Sequence, residues 1–369
     1  PHTYTERNSS AASDVYKRQA GYSTHAYVTG QGLTAKLGFD QGFHRFEAPR
    51  PAEPFDLRNM RSWALGSLLG CDRDSAACHL LSESHARLFD APMPAGSAGD
   101  EALARVAGFL QRRAGERFFL WVHLADALPP YDSEPPFRPL PVGPLASTED
   151  RLAGIGFWEL GDPFTKREKL LPEDAQGLVA LYDGEVHRVD GLVGELMQLL
   201  EARGLTGQTL VVLTSDHGQE CVEHGAYTYG HTLHEEVVRV PLIVAGAGIE
   251  SPGHVVSVPV ALLDLAPTLT ELAGAALPSE AGGRNLAPAL RGEPLAAKAA
   301  FSEGLMRAPH EAKAIRVEDN KLIYHVDEDR FELFDLTVDP FETVDIATQA
   351  SELGDAMKRE LLAWICLLY

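Results

Sequence analysis

The sequence contains few cysteines, and none of them stands in a pattern that indicates a metal or redox motif. Cys71, Cys78, Cys221 and Cys366 form no CxxC pair and match no zinc-finger spacing. An oxidising compartment would permit a disulfide between Cys71 and Cys78, but free thiols are the favoured interpretation.

Long apolar runs, excess positive charge and phosphate-binding loops are also missing. No apolar run approaches the roughly 18 residues of a membrane span, so we expect no transmembrane segment. With 53 acidic against 32 basic residues, the net charge of −21 argues against a nucleic-acid partner. No GxGxxG or GxxxxGK[ST] sequence occurs, which weakens any assignment to the nucleotide-binding folds.

Both ends of the chain differ in character from the rest. Residues 1–19 are polar, do not begin with Met and include "SAASDVYKRQ", and residues 366–369 read "CLLY". These segments resemble translated sequencing-adapter readthrough, and we interpret both as non-native tails. We therefore expect the chain to be a fragment whose own N-terminus is missing.

Between the tails, strand and helix patterns alternate. Leu103, Val106 and Leu110 recur at i, i+3 and i+7 and predict a helix, which is followed by the compact apolar strand "FFLWVH". A long helix then carries apolar residues along one face from 178 to 200. "TLVVLTSD" and "RVPLIVAG" have the continuous apolar character of strands buried on both faces of a parallel sheet. From about residue 301 the pattern changes to short strands followed by an amphipathic helix. The prediction is an α/β fold: a large mixed or mostly parallel sheet flanked by helices over residues 20–295. A small C-terminal α+β subdomain, an antiparallel sheet plus a helix, is predicted over 296–365.

A cluster of histidines and carboxylates lies between the last two of these strands, in "SDHGQECVEHGAYTYGHTLHEE". Asp216 and His217 follow the end of a strand, and ligands of open α/β sheets bind beyond the carboxyl ends of the strands. A carboxylate and an imidazole there suit a divalent cation. The glycines at 218, 225 and 230 favour a loop over a helix. Two protein ligands are too few for a stable site, so further acids must come from elsewhere.

This segment resembles the second metal half-site of the sulfatases, in the alkaline-phosphatase-like superfamily. Further segments resemble that family in the same order along the chain: "AGYSTHAYVTG", "RFFLWVHLADALPPY", "LYDGEVHRVDGLVGELMQLLEARGL", "PVALLDLAPTLTELAG" and "FELFDLTVDPFETVDIA". The resemblance covers residues 20–365, and the shared order is more specific than any single motif.

The resemblance implies hydrolysis of a sulfate ester, or less often of a phosphate or phosphonate ester, with one divalent metal. That metal is usually Ca²⁺ in the family, with Mn²⁺, Mg²⁺ and Zn²⁺ as alternatives. Asp216 and His217 correspond to the metal pair. His231 lies near the catalytic position that contacts the sulfate or the leaving oxygen. The implied substrates are small-molecule or glycan sulfate esters. Many members are periplasmic or extracellular, but the sequence itself assigns no compartment.

The other histidines have competing interpretations. His123 and His224 are the candidate substrate-binding residues. For His123, which ends the strand "FFLWVH", a hydrogen-bonded core network is the favoured alternative to a place in the cleft. His224 is favoured to shape the loop by hydrogen bonding. His234 is interpreted as a packing residue.

The sequence departs from the family pattern in two places. The nucleophile motif [CS]-x-[PA]-x-R, whose Cys or Ser becomes formylglycine, occurs nowhere in the chain, and the paired acids that complete the metal site are absent too. Both belong to the part that we expect to be missing, so the fragment is predicted to be inactive. Leu128 stands where relatives have a sulfate-contacting His. Either His123 substitutes for it, or the ester differs, or the parent protein is inactive.

Three functions therefore compete. The first is a fragment of a metal-dependent sulfuric ester hydrolase. The second is a phosphodiesterase, phosphonate hydrolase or phosphoethanolamine-transferase relative, with Mn²⁺ or Zn²⁺ at the Asp-His pair. The third is a non-catalytic binding protein that keeps the scaffold.

Overall fold

The computed structural model of the chain describes most of the regions that carry these predictions. The described residues are 20–29, 33, 35, 39–48, 98–112, 115–129, 131, 137, 174–276, 282–305 and 311–368. The tail of residues 1–19 and the cysteines Cys71 and Cys78 lie outside them. Of the other two cysteines, Cys221 is a buried free thiol and Cys366 an exposed one.

A three-stranded parallel sheet forms the first layer. Its strands are β1 (Ser23–Val28), β2 (Arg45–Glu47) and β3 (Phe118–His123), in the order β2-β1-β3. Helix α1 (Ala98–Arg112) lies between β2 and β3 in the chain and buries Leu103, Val106 and Leu110, the residues whose spacing predicts a helix. A helical crossover returns the chain to the end where it started, so β1 and β3 run parallel.

The long helix α2 (Asp174–Ala202) packs against α1. Tyr27 of β1, Phe109 of α1 and Leu200 of α2 belong to one buried apolar cluster. The helix ends just before Gly204, whose φ of +66° lies in the left-handed region that glycine adopts at helix ends.

Strands β4 (Leu210–Thr214) and β7 (Leu242–Gly246) form a separate pair. The sequence predicts both as doubly buried strands of a parallel sheet, and for this pair the prediction is wrong. They run antiparallel, with Leu210 opposite Gly246, and Ile243 is 57% exposed. The connection between them stays at the end where β4 finishes, so the chain enters β7 from that same end.

That connection carries the histidine cluster. It contains a short hairpin, β5 (Glu220–Cys221) and β6 (Tyr227–Thr228), and a single helical turn, α3 (Glu235–Val238). Gly225 and Gly230 adopt φ values of +77° and +85°, which no regular helix accommodates. The predicted loop is confirmed. Two helices, α4 (Leu265–Leu272) and α5 (Ala287–Leu290), follow β7.

The C-terminal region forms a four-stranded antiparallel sheet packed against one helix. Its elements are β8 (Ala300–Leu305), β9 (Glu311–Val317), β10 (Asn320–His325), β11 (Arg330–Asp335) and α6 (Ser351–Leu368). Ile315, Leu322 and Leu333 of the sheet pack on Met357 and Leu361 of the helix. The α/β class with a small C-terminal α+β subdomain is confirmed, while the domain limits stay predictions. No helix in the described ranges has both the length and the apolar character needed to cross a bilayer.

Buried charges join this C-terminal sheet to α3. Lys321 Nζ lies 3.1 Å from Glu235 Oε1 and 2.9 Å from Glu342 Oε1, and Arg316 pairs with the other oxygen of Glu235 at 2.6 Å. Leu233, just before α3, packs against apolar residues of the same sheet. The loop that carries the histidines is therefore anchored at its far end on the C-terminal unit.

An acidic side chain on β11 makes the stability of this sheet depend on pH. His325 Nε2 lies 2.7 Å from Glu332 Oε2, and Arg330 pairs with the other oxygen at 2.5 Å. The hydrogen bond with His325 contributes most, burial opposes it and Arg330 reinforces it, so the pKa of Glu332 falls from 4.5 to about 2. Since the folded pKa lies below the unfolded one, the stabilisation is complete above pH 4.5 and is lost as the pH falls towards 2.

We expect Glu332→Gln to lower the free energy of unfolding by up to about 1 kcal/mol at neutral pH, because the pair is partly solvated. The effect should disappear near the folded pKa of about 2. Urea unfolding across this pH range measures it. Glu328→Gln is the matched control, since Glu328 also pairs with Arg330 but is half exposed. A difference between wild type and Glu332→Gln that does not change with pH would contradict the assignment.

Candidate active site

Asp216 stands where β4 ends, and its carboxylate is open to solvent. The side chain is 65% exposed, with Oδ2 3.7 Å from His123 Nε2 and Oδ1 3.9 Å from His217 Nε2. Partial burial raises the pKa of Asp216, but the imidazoles of His123 and His217 together outweigh it and lower the pKa to about 2. Asp216 is therefore ionised throughout the neutral pH range, and this is the form that binds a cation.

His217 is held in the tautomer that a metal ligand requires. Its Nδ1 lies 2.8 Å from the carbonyl oxygen of Gly218, and because a carbonyl only accepts, Nδ1 carries the proton. The ring stacks on Tyr229 with centroids 4.0 Å apart. The lone pair is thus left on Nε2, the nitrogen on the side of Asp216.

The loop that carries this pair is held against α3 by its backbone. Gly218 N–H donates to the carbonyl of Val237 at 2.7 Å, and Gln219 N–H donates to that of Glu236 at 2.9 Å. A Cβ added at Gly218 would lie 2.0 Å from the carbonyl oxygen of Glu236. Only glycine permits this approach, so the "DHG" sequence has a packing reason for its third residue.

His231 is bound to a buried carboxylate. Its Nδ1 lies 2.6 Å from Oε2 of Glu220, which is 1% exposed. The other oxygen of Glu220 accepts hydrogen bonds from the backbone N–H and the hydroxyl of Thr232, each at 2.9 Å. No described contact joins His231 to Asp216 or His217, so its catalytic role stays a prediction.

His224 has the contacts of a residue that shapes the loop. Nδ1 lies 2.6 Å from Oε1 of Glu236 and Nε2 lies 3.3 Å from the carbonyl oxygen of Glu342, so both nitrogens donate. The hydrogen bond with Glu236 raises the pKa of His224, against the effect of burial. The ring stacks on His234 with centroids 3.6 Å apart. The structure thus places His224 and His234 together against the C-terminal unit, and a substrate-binding role for His224 remains only a prediction.

His123 lies at the carboxyl end of β3, on the Asp216 side. The backbone there is held by Thr29, whose N–H and hydroxyl both donate to the carbonyl of His123, at 2.9 and 3.1 Å. The Nδ1 atom of His123 is buried and has no hydrogen-bond partner within the described part of the chain. His123 Nε2 therefore lies beside the Asp216 carboxylate, and its substrate-binding role stays a prediction. Leu128, in the turn that follows, is half-buried.

These residues suit a divalent cation but do not surround one. Asp216 offers carboxylate oxygens. His217 offers the lone pair of Nε2, on a ring whose orientation is fixed by the hydrogen bond from Nδ1 to the Gly218 carbonyl. Across the ranges that the structure describes, no group of three or more His, Cys, Asp or Glu side chains is arranged as a metal site. Since a cation such as Ca²⁺ takes about six to eight ligands, this pair alone makes only part of a site.

Sequence reasoning missed the partners of the histidines. Glu220, Tyr229 and Glu342 contact His231, His217 and the His224–His234 pair respectively. Glu220 and Tyr229 lie in the quoted cluster, but strands of only two residues give no periodic signal. Glu342 comes from more than 100 residues further along the chain, and no local pattern could have found it.

Comparison with known proteins identifies the family. The sulfatase family model matches residues 13–275, and the model described as N-sulphoglucosamine sulphohydrolase, C-terminal, matches residues 222–365. Arylsulfatase K of Xenopus laevis is 32% identical over 215 residues, covering 54% of this chain and 38% of its own length. Delta 4,5-hexuronate-2-O-sulfatase of Bacteroides thetaiotaomicron is 27% identical over 218 residues, covering 57% and 42%.

Solved structures with the same fold include enzymes of two activities. A 2-O GAG sulfatase superimposes with a TM-score of 0.58 at 20% identity, over 99% of this chain and 75% of that one. Phosphonate monoester hydrolase of Agrobacterium radiobacter superimposes with a TM-score of 0.67 at 18% identity, over 99% and 81%. At these identities the likeness shows the fold alone. The chain spans about two-fifths of the length of the curated relatives named above. Because the sulfatase model matches well over half of its residues, the chain belongs to the sulfatase family.

Proposed function

We propose that this chain is part of a metal-dependent hydrolase of sulfuric esters, and that it supplies one half of the metal site together with a proton donor. The observation that carries the proposal is the His217 imidazole. Its Nδ1 proton is committed to the Gly218 carbonyl, and its Nε2 lone pair lies beside the ionised carboxylate of Asp216. This pair stands at the carboxyl end of a strand in a member of the sulfatase family.

Asp216 and His217 would hold a divalent ion, whose positive charge would stabilise the negative charge that builds up on the sulfuryl oxygens. The expected ion is Ca²⁺. The nitrogen ligand also suits Mn²⁺ or Zn²⁺, since imidazole is a better ligand for transition metals than for Ca²⁺. His123 lies 3.7 Å from Asp216 and would hold that carboxylate in place.

The proposed substrate is a sulfate ester of a small molecule or a glycan. The names of two similar proteins support this proposal: one is a Delta 4,5-hexuronate-2-O-sulfatase and the other a 2-O GAG sulfatase. His231 is the proposed proton donor to the leaving oxygen. In this proposal the nucleophile is a formylglycine hydrate on a segment without a match in these 369 residues, since the motif [CS]-x-[PA]-x-R is absent. The chain as it stands is then expected to be inactive.

Mn²⁺ tests the metal site without requiring activity, because its unpaired electrons broaden NMR signals of nearby nuclei only. We expect titrated Mn²⁺ to broaden the imidazole signals of His217 and His123 first and to spare His325, which lies on the C-terminal sheet. In Asp216→Ala the apparent affinity should fall at least about tenfold, or about 1.4 kcal/mol.

Asp319→Ala is the matched control, because Asp319 is 61% exposed and also lies next to a basic group. Broadening that is uniform over all histidines, or that Asp216→Ala leaves unchanged, would contradict the site.

Hydrolysis assays with an aryl sulfate and an aryl phosphate diester complete the test, and they use a protein that also carries the nucleophile segment. Hydrolysis that survives Asp216→Ala would show that the site lies elsewhere. Cleavage of the diester alone would favour the phosphodiesterase alternative. Metal binding without turnover of either ester would favour the non-catalytic binding protein.

A further inference from the structure

The carboxylate of Glu220 is one of the most deeply buried charged groups in the described residues. It lies on β5, which pairs with β6 so that Glu220 stands opposite Thr228. The turn after β6 leads the chain directly back past this side chain, and His231 and Thr232 both reach it. The hairpin therefore fixes the carboxylate relative to the His231 ring through its own backbone pairing.

The two oxygens of this carboxylate bind different residues. Oε1 accepts both donors of Thr232, the backbone N–H and the hydroxyl, at 2.9 Å each. Oε2 faces Nδ1 of His231 at 2.6 Å. An ionised carboxylate only accepts hydrogen bonds, so this contact requires the proton of the imidazole to be on Nδ1. Burial strengthens the bond, because no water competes for the oxygen.

We propose that Glu220 is a positioning residue: it holds the Nδ1–H of His231 and so makes Nε2 the nitrogen that exchanges a proton with the substrate. This inference rests on the proposed function, in which His231 serves the leaving group. A carboxylate bound to the far nitrogen of a histidine fixes both the tautomer and the orientation of the ring. It also stabilises the imidazolium that must exist before the proton is donated.

The chemical step is a proton transfer. The Nε2–H bond of the imidazolium breaks as the bond between sulfur and the bridging oxygen breaks. The electron pair of that S–O bond stays on the oxygen, which takes the proton. The sulfuryl group passes to the oxygen of a hydroxyl nucleophile, whose O–H bond breaks and whose proton passes to water. His231 is left neutral with its remaining proton on Nδ1, the state that Glu220 selects.

The tautomer of His231 can be measured directly in the 369-residue chain by long-range ¹H–¹⁵N NMR, at about pH 9 where neutral imidazole predominates. We expect Nδ1 to be protonated and Nε2 not to be. His325, whose Nε2 faces a carboxylate, serves as an internal reference with the opposite tautomer. A His231 ring protonated on Nε2 would overturn the proposal. The measurement needs neither metal nor substrate, so its outcome is independent of the Mn²⁺ titration that tests the proposed function.

Three variants separate positioning from packing. In Glu220→Ala the Nδ1–H form should cease to predominate. In Glu220→Gln it should also give way to the Nε2–H form, because the two donors of Thr232 hold the amide oxygen and leave the amide NH2, which only donates, facing Nδ1. Thr232→Val removes a hydroxyl bound to the other oxygen of Glu220 and should leave the tautomer unchanged. A switch in Thr232→Val as large as that in Glu220→Ala would show that the ring follows the loop packing, and would overturn the proposal. If Glu220→Ala fails to fold, the wild type and Glu220→Gln still decide.

Discussion

Replacing Lys321 with Met should lower the free energy of unfolding of the C-terminal unit by about 3–5 kcal/mol. The Lys321 side chain is 2% exposed, and its ammonium group lies between Glu235 and Glu342, the second of which is fully buried. Burial raises the pKa of Glu342, but His234 and Lys321 outweigh it and keep the carboxyl ionised. Without the ammonium, two carboxylates face each other away from water. Removing one partner of a buried ion cluster costs far more than the intact cluster contributes.

Hydrogen exchange of the amides in β9 and β10 measures this loss, which corresponds to roughly 10²- to 10⁴-fold faster exchange. Lys313→Met is the matched control, because Lys313 is on the neighbouring strand and is similarly buried. Its partners Glu303 and Glu311 are 48% and 32% exposed and can be solvated once the lysine is gone. A cost for Lys321→Met no larger than for Lys313→Met would show that the buried cluster is not coupled in this way.

The second large effect is expected from Gly218→Ala. The added methyl would lie 2.0 Å from the backbone carbonyl oxygen of Glu236, and no side chain can move aside to relieve that overlap. The loop must then move away from α3 and give up the 2.7 Å bond from Gly218 to Val237. We expect a loss of about 1–3 kcal/mol of stability and displacement of Asp216 and His217 from their present geometry.

Gly194→Ala provides the control, since a Cβ at that position on α2 would meet nothing within 4 Å. Alanine should stabilise the helix there by about 0.5–1 kcal/mol. Thermal unfolding of both variants, with the ring contact of His217 and Tyr229 followed by NMR, distinguishes the two. Gly218→Ala with wild-type stability and an unchanged His217 environment would show that the loop tolerates a side chain.

Much of the scaffold could be predicted because its signals are local. The apolar spacing of Leu103, Val106 and Leu110 needs only one amphipathic helix, and α1 has that form. The placement of Asp216 and His217 at a strand end follows from the end of an apolar run, and β4 does end at Thr214. The order of family segments predicts which elements occur, because that order reflects the whole fold.

The antiparallel direction of β7 relative to β4 departs from the sequence prediction, and the departure has a physical reason. A continuous apolar run indicates a buried strand, but it does not indicate from which end the chain enters that strand. That end is decided by the 215–241 connection, which is held in place by contacts with the C-terminal unit. The exposed face at Ile243 shows that an apolar run alone does not establish burial on both sides.

The amino-acid sequence alone determined that this protein has an α/β layer, a C-terminal α+β unit and a carboxylate–imidazole pair at the end of a strand. The tertiary structure decided which partner each histidine has. His123 comes to Asp216 across 93 residues, and His224 contacts Glu342 across 118. Even Glu220 and His231, only 11 residues apart, meet because a two-residue hairpin turns the chain back. Hydrogen bonds depend on distance and direction in space, and spacing along the chain specifies neither.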